Sequence, residues 1–140
     1  MRQKSINLAN CPNFDGLTRW HLPYFFMIVY TDLRPGNYVK TFDKGRKQLL
    51  KITLDDLFKM HHKSLEVFPI KIAGEWLDKF GFSFKISYTH FKIAPIYLIQ
   101  EKEFWYLLKK DLRINEHPLL YIHQLQNLFY CFAGEELVLR

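Results

Sequence analysis

The stretch YIHQLQNLFYCFAGEEL, from Tyr121 to Leu137, combines a helical apolar pattern with an unusual lack of charge. No Lys, Arg, Asp or Glu occurs from Pro118 through Ala133. Pro118 near the first turn and Gly134 after the last turn are typical of the two ends of a helix. We expect this helix to be the most buried one and to pack on a sheet, because apolar residues recur at helical spacing: Ile122, Leu125, Leu128, Phe129 and Phe132.

A second stripe of the same helix is polar but uncharged, with His123, Gln126, Asn127 and Tyr130 at i, i+3, i+4 and i+7. Polar groups are buried only where their hydrogen bonds are met. The stripe therefore either satisfies backbone groups at a sheet edge or contacts a partner, and these four residues are the predicted protein-contact candidates. Gln and Asn also read adenine edges in DNA, but a recognition helix normally brings Lys or Arg for the phosphates, and this one has none.

The segment NYVKTFDKGRKQLLKITL, residues 37–54, predicts a β-hairpin. Gly45 supplies the positive φ that a tight turn needs. Thr53 is the expected cap of a short helix over 54–62. A second short helix, over 73–80, is expected to end at Gly81.

Alternation of apolar and polar residues from Phe82 to Tyr88 predicts a strand with one buried face. The aromatic run at 103–114 is ambiguous between helix and strand, and its composition favours strands. We therefore predict an α+β fold: a single-domain antiparallel sheet with two short helices and one longer C-terminal helix packed on it.

A chain of 140 residues and 17.0 kDa has the usual length of one domain. Residues 1–26 show no strand alternation, helical stripe or turn pattern that ties them to the rest of the chain. We expect them to be an upstream extension or a poorly ordered arm, with a single α+β domain over 27–140. The alternative is that LPYFFMIVY, residues 22–30, is a real strand of the sheet.

The formal net charge of +6 is concentrated near the start of the chain, because nine Lys and Arg but only three acids occur through Lys51. A basic hairpin attracts anionic partners such as nucleic acid. It also serves as a solvated surface, and no aromatic or glycine-rich RNA-binding signature accompanies it in the sequence. The candidate nucleic-acid-binding residues surround the predicted turn: Lys40, Lys44, Arg46, Lys47 and Lys51.

No catalytic, metal-binding or cofactor motif is recognisable, so we expect a non-enzymatic protein with no cofactor and no metal. No two of the six histidines have the i, i+4 spacing of a zinc protease. Cys131 lies in an apolar run and is expected to be a reduced thiol, which favours a cytoplasmic location. No segment is long and apolar enough for a membrane span, and we expect no membrane partner.

Three motifs occur in order along the chain: LRPGNYV (residues 33–39), VFPIKIAGEWLDKFGF (67–82) and YIHQLQNLFYCFAGEEL (121–137). Together they resemble a family of small uncharacterised proteins of phages and mobile elements in Bacteroidetes. The resemblance implies a phage or prophage setting in a bacterial host and no catalytic residues. Such proteins usually have a Thr followed by acidic residues before the Trp-Leu pair, whereas this chain has Ala73 and Gly74, so the second helix is expected to lack its cap.

Two functions are therefore predicted from the sequence. The first is a small accessory protein that acts by protein–protein binding, with an unknown protein partner or by self-association, through the charge-free helix. The alternative is a nucleic-acid-binding accessory protein that uses the basic hairpin.

Overall fold

A computed structural model of the chain describes residues 28, 30–84, 89–91, 96–110 and 112–140. The fold is α+β, and every strand pairing among these residues is antiparallel. The chain divides into two compact units. We call residues 28–70 with Tyr121–Glu136 the hairpin unit, and Lys71–Leu120 with Leu137–Arg140 the five-stranded unit.

The hairpin unit contains a three-stranded sheet in the order β2-β1-β3. Its strands are β1 (Tyr38–Asp43), β2 (Arg46–Lys51) and β3 (Val67–Phe68), and its helices are α1 (Leu54–His61) and α3 (Ile122–Ala133). One face of the sheet is buried and carries Val39, Val67 and the partly buried Leu50. Leu57 and Met60 of α1 pack against this face, at the i, i+3 spacing that places both side chains on one side of a helix.

Local sequence explains the hairpin and α1. Lys44 and Gly45 both have positive φ, at 48° and 76°, and form the two-residue turn that joins twisted antiparallel strands. Thr53 and Asp56 form a capping box, in which each side chain accepts from the backbone N–H of the other residue, at 3.2 and 2.9 Å. The predicted hairpin and first helix are confirmed.

Helix α3 begins four residues after Pro118 rather than beside it. The reason is that Leu119 exchanges two backbone hydrogen bonds with Trp105, at 2.8 and 3.0 Å, and so has an extended rather than a helical backbone. Gly134 ends the helix in the left-handed conformation, at φ 71°, as predicted. Seven residues of α3 are buried, against none in α1 and one in α2 (Gly74–Lys79), so the prediction that α3 is the most buried helix is confirmed.

The five-stranded unit contains α2 and a sheet in the order β4-β5-β6-β7-β8. Its strands are β4 (Phe82–Phe84), β5 (Thr89–Phe91), β6 (Ile96–Glu101), β7 (Phe104–Lys109) and β8 (Leu112–Arg113). Its buried side chains include Leu77, Phe80, Leu98, Trp105 and Leu107. The strands predicted in 103–114 are confirmed, and α2 lacks a side-chain cap at Ala73, as expected.

The α+β class, the two short helices and the longer C-terminal helix are confirmed, but the strands expected in one sheet form two among the described residues. Alternation reveals which residues form strands and does not reveal which strands pair. Residues 1–26 lie outside the described part of the chain, and the single domain over 27–140 stays a prediction.

Cys131 is disulfide-bonded, so the expectation of a reduced thiol is wrong. Disulfide formation depends on the distance between two side chains in space, which their separation in sequence does not give. The cysteines therefore do not support a reducing compartment, and the cytoplasmic location stays a prediction. Within the part of the chain that the structure describes, no helix has the length and apolar character needed to cross a membrane.

Candidate functional site

Gln126, one of the four predicted protein-contact residues, is completely buried and bonds to backbone within the chain. Its Oε1 accepts a hydrogen bond from the backbone N–H of Tyr38 at 2.8 Å, at the first residue of β1. Its Nε2 donates to the carbonyl oxygen of Gly36 at 3.1 Å. The amide therefore satisfies one donor and one acceptor of the segment that enters the sheet.

Asn127, the next residue of α3, is also buried and binds the same segment. Its Oδ1 accepts from the side-chain amide of Asn37 at 2.9 Å, and its Nδ2 donates to the carbonyl oxygen of Asp32 at 3.2 Å. Of the two alternatives for the polar stripe, Gln126 and Asn127 therefore follow the first, in which the amides satisfy groups inside the protein. Their role as contacts for a partner stays a prediction.

Tyr130 is the exposed member of the four, with 40% of its surface accessible. The guanidinium carbon of Arg34 lies 4.1 Å from the centroid of its ring. Arg34 also forms a bidentate ion pair with Glu136, through Nη1 to Oε1 and through Nη2 to Oε2 at 2.9 Å. Tyr130 thus stacks on Arg34, and Arg34 links the loop before β1 to Glu136 in the segment after α3.

His123 is buried and lies beside Tyr121, with the two rings stacked at a centroid distance of 5.9 Å. Its Nδ1 has no hydrogen-bond partner among the described residues. Burial lowers the pKa of His123 to about 3, because an imidazolium would lose its hydration without a counter-charge. The side chain is therefore a neutral imidazole at physiological pH, and its predicted contact with a partner stays a prediction.

The basic hairpin has a second, exposed sheet face that carries both lysines and aromatic rings. In an antiparallel pair, residues directly opposite each other project from the same face. The register pairs Phe42 with Lys47 and pairs Lys40 both with Leu49 on β2 and with Phe68 on β3. We name this surface the lysine–aromatic face; it consists of Lys40, Phe42, Lys47, Leu49, Lys51 and Phe68.

The two rings of the lysine–aromatic face are in contact, and one lysine lies close to them. Phe42 meets Phe68 edge-on at a centroid distance of 5.2 Å, and the Lys47 ammonium lies 5.8 Å from the Phe42 ring. Even so, Phe42 and Leu49 keep 50% and 48% of their surface accessible. Lys51 lies 5.8 Å from the ring of Tyr38, its register partner, which projects from the same sheet face but is buried.

The charge of the lysine–aromatic face has one sign. None of its six residues is acidic, and none of the ion pairs within the described ranges involves Lys40, Lys47 or Lys51. The nearest carboxylate along the hairpin, that of Asp43, projects from the opposite face, where Gln48 donates to it at 3.4 Å. The face therefore combines positive charge with exposed aromatic surface.

The structure places the five predicted nucleic-acid residues in three settings. Lys40, Lys47 and Lys51 come together on the lysine–aromatic face. Lys44 occupies the turn, and Arg46 projects from the opposite face beside Asp43.

Phe42 and Phe68 were not among the residues predicted from the sequence. A signal for Phe42 was available, because a two-residue turn at Lys44 and Gly45 already places it opposite Lys47. Phe68 had no such signal, since it reaches the face only through the non-local pairing of β3 with β1.

Among the described residues, no group of three or more His, Cys, Asp or Glu side chains is placed to hold a metal ion. Comparisons with known proteins also give no assignment: no family model matches the chain, and no curated protein and no solved structure is significantly similar to it. The resemblance to phage and mobile-element proteins and the expected lack of enzymatic activity stay predictions.

Proposed function

We propose that this protein binds nucleic acid through the lysine–aromatic face. The observation that carries the proposal is the juxtaposition of Lys40 and Lys47 with the half-exposed ring of Phe42 on one sheet face, none of whose six named residues is acidic. Lysines supply the counterion-release energy of phosphate binding, and exposed aromatic rings supply stacking for bases. In the sequence, no aromatic signature was recognised beside the basic hairpin, and this counted against nucleic-acid binding. The structure brings aromatic rings and lysines onto one face.

The predicted protein-binding function has less support from the geometry. Gln126 and Asn127 use their amides on residues 32–38, and Tyr130 is stacked on Arg34. A surface for a protein partner would have to lie elsewhere or require these contacts to break. Nucleic-acid binding is compatible with the phage or mobile-element setting that the resemblance implies.

The proposal is tested by the salt dependence of binding to a fluorescein-labelled oligonucleotide, followed by anisotropy. Three phosphate contacts give a slope of log K against log salt of about −2 to −3, which weakens binding by roughly 15-fold or more between about 50 and 200 mM NaCl. We expect the triple variant Lys40→Gln, Lys47→Gln, Lys51→Gln to lose most of this binding and most of this slope.

The matched control is the triple variant Lys71→Gln, Lys102→Gln, Lys110→Gln, which removes the same charge at three exposed positions of the five-stranded unit. It should bind as the wild type does. Equal weakening by both triple variants would show that net charge alone acts, and no binding by the wild type at low salt would contradict the proposal.

A further inference from the structure

We infer that the ligand of the lysine–aromatic face is single-stranded DNA rather than a duplex; this inference rests on the proposed function. A single strand and a duplex present different chemical groups to the face. A single strand presents open base faces, whereas a duplex covers each base with its neighbours and presents phosphates and base edges.

The chemistry of the face matches open bases. Phe42 and Phe68 have no hydrogen-bonding group on their side chains, so neither ring can read a base edge in a groove. The edge-on contact with Phe68 at 5.2 Å holds Phe42 from one side, while half of the Phe42 surface stays accessible. A flat, apolar and fixed ring of this kind is a stacking platform for one unpaired base.

The dimensions of the face fit a short piece of one strand. Three strands with spacings of about 4.8 Å make it about 10 Å wide, and the four-residue rise from Lys47 to Lys51 is about 13 Å. Leu49 lies between these two lysines on β2, and Phe42 lies on β1 directly opposite Lys47. A base stacked on Phe42 would therefore have Lys47 beside it, and its backbone could continue past Lys40 toward Lys51.

The alternative occupant is a duplex entered by the hairpin. A two-stranded ribbon fits a major groove, where it reads base edges with amide, guanidinium or ammonium groups. The amide of Gln48 and the guanidinium of Arg46 project from the opposite side of the hairpin, away from Phe42. In a groove the lysines of the face could reach base edges, but Phe42 would meet no open base, so the geometry favours a single strand.

The face has no arrangement that would favour RNA over DNA. Proteins distinguish RNA through hydrogen bonds to its 2′-hydroxyl. The donors among the six side chains are the lysine ammonium groups, which bind phosphates in the proposed mode and do not select for a 2′-hydroxyl. The hydroxyl of Thr41, on the opposite face, donates to the carbonyl oxygen of Glu66 at 2.9 Å.

The test compares three labelled probes of one sequence and about 12 nucleotides in anisotropy titrations at equal salt: single-stranded DNA, its duplex, and RNA. We expect the wild type to bind single-stranded DNA about tenfold or more tightly than the duplex, and at least as tightly as RNA. Phe42→Leu, which keeps an apolar side chain but removes the ring, should weaken binding to single-stranded DNA about 5- to 100-fold and leave duplex binding nearly unchanged.

The control is Phe58→Leu, which makes the same change at an exposed phenylalanine of α1, 58% accessible and outside the face. It should bind all three probes as the wild type does. Equal affinity for single strand and duplex, with no effect of Phe42→Leu, would overturn the inference but leave the proposed function standing. Tighter binding to RNA would overturn the choice of DNA, and failure to bind any probe would overturn the proposed function itself.

Discussion

The side-chain amide of Asn37 donates a hydrogen bond to Oδ1 of Asn127 at 2.9 Å, and both residues are buried although 90 positions separate them in the chain. The preceding residue of α3, Gln126, binds the backbone of Gly36 and Tyr38, on either side of Asn37. The uncharged polar stripe of α3 is thus the docking surface for residues 32–38. This loop leads into β1, and its position therefore sets the strand that carries Lys40 and Phe42.

Replacing Gln126 is expected to cost stability rather than an external contact. Gln126→Ala leaves the N–H of Tyr38 and the C=O of Gly36 without these partners in a buried setting, at a cost of about 2–4 kcal/mol. Denaturant unfolding measures this loss. Gln48→Ala, at an exposed amide of β2, should change the free energy of unfolding by less than about 0.5 kcal/mol. Similar values for the two variants would show that the Gln126 amide does not stabilise the fold.

Burial of His123 predicts a pH dependence of stability. Its pKa is about 3 in the folded chain against an ordinary value of 6.5, so the unfolded chain binds more protons between these two values. The stability that the neutral imidazole contributes is complete above about pH 6.5 and is lost as pH falls toward 3, at up to roughly 1.4 kcal/mol per pH unit.

This dependence is measured as the difference in unfolding free energy between the wild type and His123→Phe from about pH 7 to pH 5, which cancels the titration of groups common to both. The wild type should lose stability relative to the variant as pH falls. His117→Phe, which removes an exposed histidine, is the control. A difference between wild type and His123→Phe that stays constant over this range would contradict the prediction.

Two arginines allow a matched test of what burial adds to an ion pair. Arg34 pairs with Glu136 and stacks on Tyr130, and its side chain is 11% exposed. Arg113 pairs with Glu101 and stacks on Tyr106 at 3.8 Å, but its side chain is 42% exposed.

Arg34→Lys should destabilise the protein by about 1–2 kcal/mol, because lysine forms neither the bidentate contact nor the planar stack. Arg113→Lys should cost less than about 0.5 kcal/mol, since water already solvates that pair. Thermal unfolding of both variants gives the comparison. A larger loss for Arg113→Lys would show that exposure does not decide the strength of these contacts.

Structural elements that depend only on residues close together in the chain could be predicted from the sequence. The turn at Lys44 and Gly45, the capping box of Thr53 and Asp56, and the end of α3 at Gly134 each depend on residues a few positions apart. Contacts between residues a few positions apart require closing only short loops, so their patterns can be recognised in the sequence. The buried side of α3 was legible for the same reason, since helical periodicity alone reveals it.

Contacts between segments far apart in the chain could be identified only from the tertiary structure. Neither the partners of Gln126 and Asn127 nor the arrival of Phe68 beside Phe42 can be read from spacing, because an amide or a ring has the same local pattern whichever segment it contacts. Gln126 and Asn127, two of the predicted contact residues, instead form hydrogen bonds to residues 32–38 within the chain. The pairing of β3 with β1 adds a second ring to the face around Phe42, because strand pairing brings together side chains that sequence separation keeps far apart.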